Sequence, residues 1–139
     1  MGIYGQSQDG KEVSEVIVTE YITVEIIKEE SVYDIAERIY NIDADLLRAI
    51  ERLESGNYTS NYYLDLNNTH GARGINGWLE FDSTDESTMY LANNLRRNYF
   101  NQGDNTIELI SVKYCPPSPQ EWAESVTKIY NELEIEEWI

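Results

Sequence analysis

The chain has 139 residues, with 26 acidic and 10 basic side chains and a formal net charge of −16. Nucleic acids and anionic membrane surfaces are bound through lysine and arginine, so this balance argues against either as the main partner. The length fits one domain with its own core. A single cysteine, Cys115, excludes an internal disulfide. No apolar run reaches about 18 residues, so we expect no membrane insertion.

The N-terminal part divides into two predicted segments. Residues 1–12 are polar and aperiodic, which predicts a flexible arm. Residues 13–30 alternate between β-branched and polar side chains, which predicts a β segment whose edge could dock onto an assembly partner. The first residues lack the basic and apolar regions of a signal peptide, so we expect synthesis in the cytoplasm. Residues 31–139 are then the main domain.

The helix predicted over residues 44–54 organises this domain. Asp43 is placed to cap its start, and Gly56 stands just past its end. At about 100° per residue, its five apolar side chains form one arc, and Glu54 falls within that arc. A glutamate on the buried side should have a raised pKa, as a general acid for glycoside cleavage requires. The alternative is a glutamate that frays outward and has no role.

Four further helices are predicted from capping residues and apolar periodicity. They begin near Ser31, Ser83, Asn105 and Ser118. Residues 57–81 lose helical periodicity and are rich in Asn, Gly and Thr, which predicts an irregular, functional loop region. Apolar residues in the acidic tail, residues 134–139, suggest that it docks somewhere. The predicted fold class is therefore mainly α, with an N-terminal β element.

Several strings in this order resemble the lysozyme-like glucosaminidases and lytic transglycosylases that cut peptidoglycan. The strings are Leu46-Leu-Arg-Ala-Ile-Glu-Arg-Leu-Glu-Ser-Gly56, Asn67-Asn68, Gly71-Ala-Arg-Gly74, Trp78-Leu-Glu-Phe81, Tyr114-Cys-Pro-Pro117 and Trp122. The resemblance covers about two thirds of the chain. It implies an α+β lysozyme-like fold, with about five helices around a glycan cleft that has an irregular loop wall. With no export signal, it also fits a phage or mobile-element product that acts at the cell wall as a virion-associated or otherwise released protein.

The resemblance also implies roles for individual residues. Glu54 would protonate the oxygen of a β-1,4 glycosidic bond. Asn67 and Asn68 would bind N-acetyl groups of the substrate, although both could equally be turn residues that satisfy local backbone groups. Tyr99 and Tyr114 would face the cleft, although tyrosine on a helical stripe is more often part of the core.

The sequence does not identify a second catalytic group. A hydrolase needs a second carboxylate or the substrate's own N-acetyl group, whereas a lytic transglycosylase needs only one glutamate. Candidate carboxylates in the loop region are Asp65, Glu80 and Asp82. His70 is the sole histidine and has no companion ligand, so we predict no metal and no cofactor, and interpret it as a loop histidine with a local hydrogen bond.

Three hypotheses follow from the sequence. The first is an enzyme that cleaves peptidoglycan glycan strands. The second is a catalytically inactive lysozyme-like component of a virion or secretion assembly, which binds the wall or docks through its β segment. The third is an acidic binding protein, such as a DNA mimic, and it is based on charge alone.

Overall fold

The computed structural model describes residues 29–138, which are mostly helical. The predicted arm 1–12 and all but the last two residues of the predicted β segment 13–30 lie outside the described residues. In chain order, the elements of the described part are α1 Val32–Tyr40, α2 Ala44–Glu54, α3 Asn61–Leu66, β1 Arg73–Gly74, β2 Gly77–Trp78, α4 Thr84–Asn98, a 3-10 helix Phe100–Gln102, α5 Ile107–Tyr114 and α6 Pro119–Glu136. The prediction of a mainly helical fold is confirmed.

Helix α2 lies at the centre of the packing. It contacts α1 and α6, while α1 also packs on α4 and α6 on α5. Leu47 and Ile50 of α2 are completely buried, together with Leu91 of α4 and Val126 of α6. Each such side chain contributes about 1.5–3 kcal/mol by leaving water. The predicted apolar arc of α2 therefore holds this helix in place, and with it the residues at its C-terminal end.

Most of the predicted helix starts use the capping residues that the sequence indicates. Asp43 Oδ1 accepts a hydrogen bond from the Asp45 backbone N–H at 2.8 Å. The hydroxyls of Ser31 and Ser83 cap α1 and α4 in the same way. Helix α6 does begin at Pro119, but the hydroxyl of Ser118 makes no capping bond within residues 29–138. The prediction of a serine cap was wrong at that one position.

One side chain of α2 is more buried than its periodicity predicts. Helical periodicity places Asp45 with Arg48 on the side opposite the apolar arc, where solvent exposure is expected, but Asp45 is only 4% exposed. It forms an ion pair with Arg48 and lies near Glu134 and Glu137. In the tail, Trp138 is 88% exposed and Ile135 is exposed as well, so these two side chains do not pack on the described part of the domain. None of the helices in residues 29–138 is long and apolar enough to cross a membrane.

Helix α3 was not predicted, because its six residues bury no side chain and so carry no apolar stripe. Local groups define it instead. The Ser60 hydroxyl accepts from the Tyr63 backbone N–H at its start, and Asn67 adopts a left-handed conformation with φ of 56° at its end. After it, β1 and β2 pair antiparallel in a two-residue hairpin that places Arg73 opposite Trp78. The predicted irregular loop region is therefore a short helix followed by a hairpin.

Candidate functional site

A pocket of about 390 Å³ opens where the end of α2 meets the loop before β1, helix α4 and the end of α5. Its lining residues are Glu54, His70, Gly71, Ala72, Arg73, Tyr90, Asn94, Tyr99 and Tyr114. Three of the residues singled out from the sequence, Glu54, Tyr99 and Tyr114, therefore lie around one cavity, although 60 positions separate the first from the last.

Glu54 is the last residue of α2, and its side chain is half-buried. The Trp122 indole N–H donates to Glu54 Oε2 at 2.7 Å, which fixes the carboxyl group against α6. Burial raises the pKa of Glu54, because the charged form loses hydration, while the indole hydrogen bond acts in the opposite direction. The net effect is a carboxyl group that holds its proton to higher pH than a solvated glutamate.

Aromatic rings form the wall beside Glu54. The rings of Tyr114 and Trp122 stack with centroids 4.9 Å apart, and Tyr99 follows at 6.0 Å from Tyr114. Burial raises the pKa of both tyrosines, so the two phenols are protonated at neutral pH. Each hydroxyl can therefore donate a hydrogen bond to a group in the pocket.

A second aromatic group lies next to the pocket, where helix α3 meets the hairpin. The Trp78 ring packs on Tyr62 with centroids 4.5 Å apart, and the Arg73 guanidinium lies over Trp78 at 4.3 Å from its centroid. Trp78 remains 45% exposed. The Tyr62 hydroxyl donates to the Glu54 backbone carbonyl, which ties this group to the end of α2. We call Tyr62, Trp78 and Arg73 the hairpin platform.

Asn67 and Asn68 use their amides inside the loop, and neither lines the pocket. Asn67 Nδ2 donates to the Phe81 carbonyl at 3.0 Å. Asn68 is completely buried: its Nδ2 donates to the carbonyls of Ala72 and Leu79, both at 2.9 Å, and its Oδ1 accepts from the Ala72 N–H. In this structure the two asparagines hold the loop in shape, which corresponds to the alternative interpretation that the sequence left open.

Glu51, one turn before Glu54, is a buried carboxylate that the sequence analysis did not single out. It is completely buried and accepts hydrogen bonds from the hydroxyls of Tyr33 at 2.6 Å, Thr69 at 2.7 Å and Thr88 at 2.5 Å. Burial raises the pKa of Glu51, and the three hydroxyl donors oppose that rise. The sequence did contain a signal for the burial of Glu51. Residues three apart share one side of a helix, and the periodicity already places Glu54 on the buried side of α2.

His70 belongs to the same buried group. It is 5% exposed, and its Nδ1 lies 3.1 Å from Thr69 Oγ1 and 3.3 Å from Ser87 Oγ. Burial lowers the pKa of His70 to about 4, so the imidazole is neutral at neutral pH. The local hydrogen bond expected from the sequence is present. Its position in the pocket lining was not expected, since no local pattern indicates it.

The candidate second carboxylates lie elsewhere. Asp65, Glu80 and Asp82 are exposed, and none of them lines the pocket. Among the pocket-lining residues Glu54 is the sole carboxylate, and Arg73 is the one cation. Within residues 29–138, a reaction in this pocket that needs two groups would take the second from a neutral side chain or from the substrate.

Three carboxylates of the described region lie close enough to hold a metal ion, and they are remote from the pocket lining. Asp45, Glu134 and Glu137 place oxygens within 4.8 Å of one another. Arg48 already pairs with Asp45 at 2.9 Å. The hydrogen bond to Asp45 raises the pKa of Glu134 to about 7, so proton sharing can relieve the repulsion between these acids without a cation.

No model of a known protein family matches this chain, and a search of curated proteins finds no significant similarity.

Proposed function

We propose that this chain cleaves the glycan strands of peptidoglycan, with Glu54 as the general acid and a lysozyme-like arrangement of helices around the pocket. The observation that carries the proposal is Glu54 itself. It is the one carboxyl group in the pocket lining, it is half-buried, and an indole N–H fixes its orientation. Its raised pKa keeps a fraction of the group protonated where an ordinary glutamate is ionised.

In the proposed reaction, the protonated Glu54 transfers its proton to the oxygen of a β-1,4 glycosidic bond. The C1–O bond breaks as the proton moves, and positive charge develops on the sugar ring. Because Oε2 accepts the Trp122 hydrogen bond, Oε1 is the oxygen free to carry the proton. The leaving sugar departs with a neutral hydroxyl, and Glu54 is left as a carboxylate that the indole N–H stabilises.

The part of the chain that the structure describes places no second carboxylate in the pocket lining, which favours a reaction in which the substrate supplies the second group. One possibility is attack of the N-acetyl oxygen on C1 as the bond to the leaving sugar breaks. Water then displaces the N-acetyl oxygen from C1 and gives its proton to the Glu54 carboxylate, which yields a hydrolysis product. The other is attack of the sugar's own hydroxyl on C1, which closes an anhydro ring as the hydroxyl proton passes to the Glu54 carboxylate. In either case the Tyr99 and Tyr114 hydroxyls are available to orient the N-acetyl group.

The surroundings of the pocket suit a sugar polymer. Apolar faces of sugar rings pack on aromatic side chains, and the hairpin platform offers the partly exposed ring of Trp78 next to the pocket. Arg73 supplies a positive charge beside it in a chain that is otherwise strongly acidic. That charge can attract the carboxylates of the peptide stems that peptidoglycan carries.

The test is digestion of purified peptidoglycan by the wild-type chain, Glu54→Gln and Glu132→Gln, followed by mass spectrometry of the released fragments. Glu132 is an exposed glutamate of α6 outside the pocket lining and serves as the matched control. We expect release by the wild type and by Glu132→Gln, and a loss of at least about 100-fold for Glu54→Gln. Reducing ends indicate hydrolysis, whereas anhydro ends indicate transglycosylation. No release by the wild type on several wall types would overturn the enzymatic proposal in favour of an inactive wall-binding component.

A further inference from the structure

His70 is a buried side chain that lines the pocket. Its ring is almost completely buried, and within residues 29–138 it forms hydrogen bonds through only one of its two ring nitrogens. Nδ1 faces the hydroxyls of Thr69 and Ser87. Within residues 29–138, Nε2 has no hydrogen-bond partner. Buried polar groups are nearly always paired, so an unused ring nitrogen at a pocket suggests a ligand group as its partner.

The hydroxyls on the Nδ1 side belong to the Glu51 network. Thr69 Oγ1 donates its proton to Glu51 Oε2 at 2.7 Å. Because a hydroxyl has one proton, Thr69 Oγ1 can only accept hydrogen bonds from its other neighbours. Ser87 Oγ lies 2.9 Å from Thr69 Oγ1 and accepts from the Thr69 backbone N–H at 2.9 Å. The completely buried Glu51 therefore fixes the direction of the Thr69 hydroxyl, which in turn contacts the imidazole.

Aromatic packing fixes the plane of the ring. Tyr90 stacks on His70 with centroids 6.0 Å apart and planes inclined by 28°, and Phe81 lies at 6.3 Å. With Nδ1 tied to the hydroxyls and the ring packed against both aromatic side chains, His70 has little freedom to rotate. A side chain held in this way is preorganised to bind a polar group without losing further conformational entropy.

We propose that His70 is a substrate-positioning residue, whose Nε2 forms a hydrogen bond with an N-acetyl or hydroxyl group of a glycan bound beside Glu54, while Glu51, Thr69 and Ser87 hold the ring in place. This inference rests on the proposed function, because it names the group that contacts the substrate at the same site. The neutral imidazole carries no charge to be desolvated, which suits a hydrogen bond to an uncharged sugar substituent.

The chain offers a direct probe, because His70 is its sole histidine and gives one set of imidazole resonances. We would record two-bond ¹H–¹⁵N correlation spectra of the full chain carrying Glu54→Gln, with a tetrasaccharide of alternating N-acetylglucosamine and N-acetylmuramic acid added in steps. The indole N–H of Trp122, next to position 54, reports binding in the pocket independently. We expect the Nε2 resonance to shift more than the Nδ1 resonance, with the same saturation curve as the Trp122 signal.

Kinetics of two variants in the active chain provide a second test. His70→Phe removes the hydrogen bond and should raise KM about tenfold with kcat changed by less than about twofold. His70→Gln keeps a polar group and should recover part of that loss. Thermal unfolding of both variants establishes that they are folded, and a structural role alone would not separate KM from kcat.

The outcomes distinguish the two proposals. If the wild type cleaves peptidoglycan and the Trp122 signal shifts while both imidazole nitrogens stay unchanged, the role of His70 is overturned and the proposed function stands. If no resonance shifts and the wild type releases nothing, both proposals fail together.

Discussion

The indole N–H of Trp122 lies 2.7 Å from Glu54 Oε2, although the two residues are 68 positions apart. Helices α2 and α6 pack against each other and bring them together. The same indole stacks on Tyr114, so one side chain orients the carboxyl group and supports the aromatic wall of the pocket. A hydrogen bond to a carboxylate favours its charged form, and this bond therefore opposes the desolvation that raises the pKa of Glu54.

Trp122→Phe keeps most of the ring and removes the N–H donor. Without that donor the pKa of Glu54 should rise further, because burial is then no longer opposed. A general acid acts in its protonated form, so activity falls as pH rises through the pKa of Glu54. We expect the alkaline limb of the pH–rate profile to move to higher pH in Trp122→Phe, measured as kcat against pH on soluble peptidoglycan.

Trp138→Phe is the matched control for this variant, since Trp138 is 88% exposed at the end of the described chain. Its pH–rate profile should coincide with that of the wild type. An alkaline limb that stays in place in Trp122→Phe, or moves to lower pH, would show that the indole does not stabilise the ionised form of Glu54.

Tyr114→Phe tests the phenol closest to the Trp122 ring. The change keeps the stacking contact at 4.9 Å and removes one hydroxyl donor from the pocket lining. If that hydroxyl orients the N-acetyl group during bond cleavage, its loss should lower kcat about tenfold, the effect of one hydrogen bond of about 1.4 kcal/mol. Tyr63→Phe, on α3 and outside the pocket lining, serves as the control. Equal rates for both variants would remove Tyr114 from the mechanism.

Trp78→Ala tests the hairpin platform. The indole is 45% exposed beside the pocket, and a sugar ring can contact the part of the ring that the Arg73 guanidinium leaves uncovered. Loss of an aromatic contact of about 0.5–1.5 kcal/mol should raise KM roughly two- to tenfold and leave kcat unchanged. Ile75→Ala, fully exposed at the tip of the same hairpin, should leave both constants unchanged. A fall in kcat with constant KM would instead place Trp78 in the catalytic step.

The sequence could predict α2 and the inward side of Glu54, because both depend on capping and periodicity within 14 residues. The sequence could not predict which side chain would form a hydrogen bond with the Glu54 carboxyl group, because that depends on how α6 packs across α2. The hydroxyls around Glu51 likewise come from Tyr33, Thr69 and Thr88 on three separate segments. Long-range polar contacts of this kind leave no periodic signal.

Thr88→Ala should destabilise the chain, because it removes one of three donors to a buried carboxylate. The expected cost is about 1–3 kcal/mol of unfolding free energy near pH 7. Burial already raises the folded-state pKa of Glu51, so this group's contribution to stability is present below its unfolded pKa and is lost as pH rises through the folded pKa. Without the Thr88 donor, the pKa of Glu51 in the folded state rises further, and the loss of unfolding free energy at neutral pH becomes larger.

Urea unfolding at about pH 4 and about pH 7 measures this effect. The stability difference between wild type and Thr88→Ala should be larger at the higher pH, because Glu51 is largely protonated in both states at the lower one. Thr127→Ala, on the half-buried side of α6, is the control and should show no such pH dependence. A difference that is the same at both pH values would mean that Thr88 stabilises the fold independently of the charge on Glu51.

Ser31 and Ser118 are the N-cap residues of α1 and α6, but only the Ser31 side chain forms a capping hydrogen bond within residues 29–138. The Ser31 hydroxyl accepts from the Asp34 N–H at 3.2 Å, whereas the Ser118 hydroxyl lies 3.6 Å from Cys115 Sγ. Ser31→Ala should therefore cost about 1 kcal/mol of unfolding free energy, and Ser118→Ala less than about 0.5 kcal/mol. Urea unfolding of the two variants under one buffer condition decides the point. Equal costs would mean that Ser118 caps α6 in solution, as its sequence predicts.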